Sequence, residues 1–373
     1  MYTGLKNYIL VYFRRKLGFA LVSGLAALLF TSLAAAQSGR IKGASPTPTP
    51  RPLSGPSVLT VPTQGLPSTG PKPSPTPKQK EDPDETIRVD SALVPIPVSV
   101  LDASGRAVQT LKIEDFELKI DNKAVEIADM SHSETPIRLA MLFDNSSSEI
   151  IARDFERSAA IKFFRRVVRP DKDQAALFTV ADFTHLEQAL TPDVSRLTQA
   201  IDLIPEPRGA TALLDGIVAV AEYLRSTSGR RVVIIVSDGE DTYSDENTTL
   251  ESVVKALQVN NCQVYVVKTK DFENYKRTGV RGGNANIRAL TAERRMIEIA
   301  QQTGGAVYSP IDEDEMNEAF KQISAELSQQ YILSYYPDDP AEKRGEFRTI
   351  SLSVKGKTGV NLRTRKGYYV GKK

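Results

Sequence analysis

Arg138–Asp144 (RLAMLFD), Gln174–Phe183 (QAALFTVADF), Arg231–Asp238 (RVVIIVSD) and Gln263–Thr269 (QVYVVKT) decide the fold. A strand with one wet face alternates apolar and polar residues. These four are short continuous apolar runs, the pattern of parallel strands buried on both faces. Amphipathic stretches lie between them. In TALLDGIVAVAEYLRS, which starts at Thr211, the residues Leu214, Ile217, Ala221 and Leu224 fall on one helical face. Thr248 with Glu251 forms a capping-box signature ahead of another helix. A last helix is expected from about Asp312 to Ser328, with Met316, Phe320, Ile323 and Leu327 on one face. Strand and helix thus alternate, which predicts an α/β fold: a doubly wound, mostly parallel sheet flanked by helices.

The flanks read differently. From Thr86 to about Thr135, and again from Gln330 to the end, β-branched residues alternate with polar ones between turn signals. Neither flank has enough strands for a stable core alone, so the two are expected to build one small β-sandwich. The expected organisation is a sandwich segment over 86–135, the α/β domain over 136–329 and a second sandwich segment over 330–373. Residues 270–289 carry no apolar period and read as a loop that interrupts the α/β rhythm. The basic tail, 341–373, reads as a solvated β face.

Ahead of these lie two further segments. Residues 1–36 combine Lys6, Arg14, Arg15 and Lys16 with the apolar run Leu17–Ala34 and end in three alanines. That is the pattern of an export signal, cleaved after Ala36 or kept as an N-terminal anchor. Residues 37–85 read as a Pro-rich linker, with eleven prolines between 41 and 80. Such a chain is extended and unpacked, whether it acts as a spacer or is simply disordered. The folded part is therefore expected outside the cytoplasm: periplasmic, secreted or at the cell surface.

The whole chain of 373 residues carries a formal charge of +2, which excludes the basic excess of a nucleic-acid binder. The balance hides segregation. Basic residues dominate both ends, and 81–340 carries −16. An acidic middle favours a cation or a basic partner. A lone Cys262 excludes a disulfide scaffold and reads as buried and inert.

Ligands of a doubly wound sheet bind at the C-terminal ends of its strands. Three segments meet at that edge: Asp144-Asn145-Ser146-Ser147-Ser148, Arg208-Gly209-Ala210-Thr211 and Ser237-Asp238-Gly239-Glu240-Asp241. Together they gather Asp144, Ser146, Ser148, Thr211 and Asp238, all hard oxygen donors with two formal charges. Such a shell suits Mg²⁺, Mn²⁺ or Ca²⁺ and not a zinc or copper site. Taken singly, each residue also reads as a helix cap or turn former.

The set resembles the metal-ion-dependent adhesion site of von Willebrand factor type A domains: D-x-S-x-S at Asp144, Ser146 and Ser148, a distant Thr at Thr211, and an Asp before Gly at Asp238. Thr303-Gly304-Gly305 matches the family's turn before its last strand. The β flanks are similar to bacterial exported relatives of the family, in Gly105, Arg106, Val108, Leu111, Glu114, Asp115 and Phe116 and in Gln330, Tyr331, Leu333, Tyr335 and Pro337. Ser147 and Ala210 stand where the family usually has Gly; both are small. The resemblance implies that Ser146 and Ser148 bind the metal directly and Thr211 conditionally. Asp144 and Asp238 hold waters and orient the hydroxyls. A partner's Asp or Glu carboxylate then completes the shell.

Catalytic patterns are weak. Ser146 stands where a phosphatase would need a second acid, no G-x-S-x-G elbow occurs, and His132 and His185 are 53 residues apart with no H-E-x-x-H. The expected function is a non-enzymatic, exported, divalent-cation-dependent protein-binding module for adhesion or envelope assembly. A structural envelope component, in which the metal only stabilises the fold, is the alternative. A metal-dependent hydrolase stands third.

Overall fold

The computed structural model describes residues 93–132, 135–281, 286–337, 344–357 and 359–370. The expected export signal and linker, and residues 86–92 of the first sandwich segment, lie outside the described residues. Among the described residues no helix is long and apolar enough to cross a membrane.

The four apolar runs are strands. They are β5 (Ile137–Asp144), β6 (Gln174–Val180), β8 (Arg230–Ser237) and β9 (Cys262–Lys268). With β7 (Thr184–Thr191) and β10 (Val307–Tyr308) they form a six-stranded sheet in the order β10-β9-β8-β5-β6-β7. All pairings are parallel except β6 with β7. Alternate residues serve opposite faces. Leu139, Met141, Phe143, Ile234 and Val267 pack with α1 (Arg153–Val167), α2 (Val194–Leu203) and the last helix, α7 (Glu313–Gln329). Ala140, Leu142, Val233, Ile235 and Val264 pack with α3 (Leu213–Leu224), α4 (Leu250–Val259) and α6 (Ile287–Thr303). Both faces are dry, which is why these strands carry no polar alternation. The expected faces of α3 and α7 are buried as read, with Asp312 capping α7 through Glu315 N–H at 2.8 Å.

Four local expectations are corrected. The sequence reading missed β7, because it is a half-exposed edge strand whose pairing with β6 shifts register twice, leaving neither a continuous run nor a clean alternation. Thr249, not Thr248, caps α4, with Ser252 returning the bond to the Thr249 N–H at 2.9 Å. Residues 270–289 are not all loop: Lys270–Thr278 form α5, and α6 begins at Ile287, while 282–285 lie outside the described residues. Phe272 is the one apolar side chain that α5 buries, so no period could appear. The basic tail is not wholly solvated either, since Arg365 is only 7% exposed.

The flanks supply two four-stranded sheets. One has the order β13-β1-β11-β4, from Asn361–Thr364, Val94–Leu101, Tyr331–Tyr335 and Asp129–His132. The other is β14-β12-β2-β3, from Gly367–Tyr369, Phe347–Val354, Phe116–Ile120 and Lys123–Val125. Ile96, Val98, Phe116, Leu118, Tyr331, Leu333, Ile350 and Tyr368 share one core between the sheets.

The α/β and sandwich parts meet at the end of α7. Glu326 accepts from the Tyr265 hydroxyl at 3.3 Å and the Tyr308 hydroxyl at 2.7 Å, and also from Ser99 and Arg363 of the sandwich. Gln330 donates to Ser99 Oγ at 2.8 Å and Tyr265 Oη at 3.1 Å. Gly305 makes a second close approach nearby: a Cβ there would sit 1.8 Å from Val264 O, so the turn into β10 admits glycine alone. Cys262 is buried at the start of β9, and burial pushes its thiol up to about 12, so it is inert at neutral pH.

Candidate metal centre

β5 delivers Asp144 fully buried at the C-terminal edge of the sheet. One carboxylate oxygen accepts the Ser146 N–H at 3.0 Å. The other accepts the Ser237 hydroxyl at 2.6 Å, from the end of neighbouring β8. Ser237 Oγ in turn accepts the Gly239 N–H at 2.9 Å. Asp144 therefore ties the first loop to the third. Ser146 is buried and Ser148 exposed, and their hydroxyl oxygens stand 3.0 Å apart. Asp238, 2% exposed, follows Ser237 and accepts the Glu240 N–H at 2.9 Å.

The loop bearing Thr211 is held from both sides. Arg208 N–H donates to Asn145 O at 2.9 Å, and Ser147 N–H to Gly209 O at 3.3 Å. Thr211 O accepts from Thr242 and Tyr243 N–H at 2.8 and 3.0 Å. The Thr211 hydroxyl makes no hydrogen bond among the described residues. Thus the structure brings the three expected segments to one edge. Asp144, Ser146 and Ser148 are linked directly, Asp238 joins Asp144 through Ser237, and Thr211 is placed by its backbone.

The sequence reading missed a third carboxylate. Glu149 is fully buried, accepting the Asp238 N–H at 2.8 Å and the Thr269 hydroxyl at 2.9 Å. Oxygens of Asp144, Glu149 and Asp238 lie within 4.8 Å of one another. Behind them sit Glu156 of α1, fully buried, and Glu273 of α5, 6% exposed. Two cations face these five acids. Arg153 donates to Asp144 O at 2.9 Å and to Asn145, with Glu156 at 3.6 Å. Lys270 stands 3.4 Å from Asp238 and 3.2 Å from Glu240. One signal for Glu156 did exist: it lies on the apolar stripe of α1 with Ala160, Phe163 and Val167, where a charge needs a reason.

The surplus of acid shows in the titration of the group. Burial, then the Asp238 charge, pushes Asp144 up to about 6. Burial raises Glu156 to about 7, and burial with the Asp238 charge raises Glu273 to about 8. Glu149 is raised well above the usual range by burial and by the charge of Glu156. With every acid ionised, Glu149 Oε2 and both Glu156 oxygens have no donor. Burial and the charge of Glu156 favour a proton on Glu149. A site so short of positive charge, with hydroxyls at its rim and only oxygen donors, fits a divalent cation. Ser146, Ser148 and Thr211 at the rim, and the carboxylates of Asp144, Asp238 and Glu149, are the groups able to hold it.

Residues 139–322 match the von Willebrand factor type A domain. The chain carries a type A domain. Its sheet order and the carboxylate-and-hydroxyl edge sit inside the matched range. Among solved structures, the domain is similar to the PilB minor pilin from Streptococcus sanguinis (14% identity, 55% of this chain and 64% of that one, TM-score 0.39). It is similar also to BatB from Bacteroides thetaiotaomicron (16%, 52% and 97%, TM-score 0.40). A third is proximal thread matrix protein 1 from the mussel byssus, with a zinc-occupied MIDAS motif (18%, 56% and 49%, TM-score 0.42). The chain spans about 64% of the pilin's length. No curated protein matches the sequence significantly.

Proposed function

We propose that this chain is an exported, divalent-cation-dependent protein-binding module, not an enzyme. In this reading Mg²⁺, or Mn²⁺ or Ca²⁺ in its place, is held at the rim by Ser146, Ser148 and Thr211. Asp144 and Asp238 orient the hydroxyls and bound waters. A partner protein supplies an Asp or Glu carboxylate to the cation, as type A domains generally engage partners. The observation that carries the proposal is the pair of hydroxyls 3.0 Å apart, beside three carboxylates within 4.8 Å of one another. Neutral hydroxyl ligands leave the cation electrophilic toward an outside carboxylate. The export signal or anchor of 1–36, the linker of 37–85 and the division at 86, 136 and 330 belong to the same proposal. They present the domain in the periplasm, in the medium or at the envelope, for adhesion or assembly.

The full chain is to be immobilised and exposed to envelope extract in Mg²⁺ or in EDTA. Partner retention in Mg²⁺ that is lost in EDTA and in Asp144→Asn, with unchanged circular dichroism, is expected. Retention that survives EDTA contradicts the reading. N-terminal sequencing of exported protein tests cleavage before Gln37.

A further inference from the structure

At the opposite edge of the six-stranded sheet, where β5, β8 and β9 begin, a cavity of about 260 Å³ lies against the sandwich. Its walls include Arg230, Arg231, Asn261, Gln263, Thr303 and Arg365, and among the described residues no carboxylate lines it. Arg231 donates to Thr227 O at 2.6 and 3.2 Å and to Asn260 O at 2.8 Å. Arg365 donates to Pro95 O at 2.8 Å and to Asn261 Oδ1. None of these acceptors is a carboxylate, so among the described residues neither guanidinium forms an ion pair. Two carboxylates stand behind this wall and are engaged elsewhere: Glu222 accepts from the Asn260 amide at 2.9 Å and pairs with Arg225 at 3.1 Å, and Asp173 accepts the Ile137 N–H at 2.8 Å and pairs with Arg169 at 2.7 Å.

Arg365 is 93% buried by its 7% exposure, and its Nε–H has no acceptor. Burial lowers its pKa to about 10. Proteins rarely bury a guanidinium without an ion pair, because removing the charge from water is costly. The Asn261 amide nitrogen, one residue before β9, also makes no hydrogen bond among the described residues.

We infer that this cavity is a binding site for a phosphate-type oxyanion, free or as a small phosphate ester, held between Arg231 and Arg365 with the Asn261 amide. Guanidinium forks match phosphate oxygens. Two positive charges without an ion pair, from different walls, suit a tetrahedral dianion better than a carboxylate, which a single fork satisfies. Arg231 comes from the α/β part and Arg365 from the tail, so a bound anion also clamps the two together.

Calorimetry on the full chain tests this, with inorganic phosphate and glycerol phosphate as probes and succinate as control. Saturable binding of either phosphate at one site is expected. Arg231→Gln should weaken it about tenfold or more. Asn261→Asp should do the same while leaving the melting temperature unchanged or higher, since it places a carboxylate beside Arg365 at an exposed position whose φ of +51° Asp tolerates. Tighter binding of the ester or of free phosphate separates the two sources. No saturable binding of either phosphate, undiminished binding in Asn261→Asp, or equal affinity for succinate would overturn the inference.

Discussion

The two ends of the central sheet share a scaffold and differ in chemistry. Strand β8 begins at Arg230 and ends at Ser237, with Asp238 beyond. At its start, Arg230, Arg231 and Arg365 line a cavity to which, among the described residues, no carboxylate contributes. At its end, Asp144, Glu149, Glu156, Asp238 and Glu273 crowd around Arg153 and Lys270. Between them the strand is uniformly apolar, and either charge type could have been grafted onto it. The core therefore fixes where a site sits, and the residues that interrupt the apolar runs fix which ion it takes. Arg231 and Arg365 at one end have no ion pair among the described residues, and the buried carboxylates at the other outnumber their cations.

The largest effect is expected where the acidic end loses its internal cation. Arg153→Met removes the partner of buried Glu156 and the donor to Asp144 O. By the cost of breaking a buried pair it should destabilise the domain by about 3–5 kcal/mol in urea denaturation. A loss under about 1 kcal/mol would mean that Glu149 and Glu156 share a proton well enough to need no arginine.

Next comes pH. Asp144, Glu149, Glu156 and Glu273 hold protons in the folded state at pH values where the unfolded chain has lost them. The folded state then binds more protons, so stability falls with rising pH from about 4.5 through about 8 as Asp144, Glu156 and Glu273 lose theirs. In EDTA the melting temperature should drop between pH 5 and pH 8. Saturating Mg²⁺ should reduce that drop, because the cation stabilises the ionised carboxylates. A melting temperature that rises from pH 5 to pH 8 in EDTA would break the contrast between the two ends.

The smallest effect concerns Lys270, whose ammonium already sits 3.4 Å from Asp238. Lys270→Met removes a like charge beside the cation site. Divalent affinity should tighten about three- to tenfold at a partly exposed position. Unchanged or weaker binding by titration calorimetry would place the cation away from Asp238.

How much of this was legible in the sequence follows from the range of each interaction. The four strands and the faces of α3 and α7 were readable, because burial on both sides or on one stripe leaves a periodic record. The meeting of the three loop segments that carry Asp144, Ser146, Ser148, Thr211 and Asp238 at one sheet edge was readable, because each segment follows a strand or opens a helix; their role as cation ligands is part of the proposal. Glu149 was not, although it stands beside Ser148. Its partners Asp238 and Thr269 lie 89 and 120 residues away, and only the folded sheet brings them together. Arg365 looked like one more charge of a wet tail, since nothing local records that the tail folds back onto Asn261 and Pro95. Lys270 and Glu273 were lost with α5, whose single buried aromatic gives no pattern.

Mn²⁺ titration of the full chain by calorimetry, wild type against Asp144→Asn, tests the cation centre most directly. The substitution keeps the shape of the side chain and removes the charge that ties Ser146 to Ser237. One Mn²⁺ site in the wild type and an affinity about 100-fold weaker in the variant are expected, with the same circular dichroism. Equal affinities in the two proteins would contradict the assignment of this edge as a metal centre.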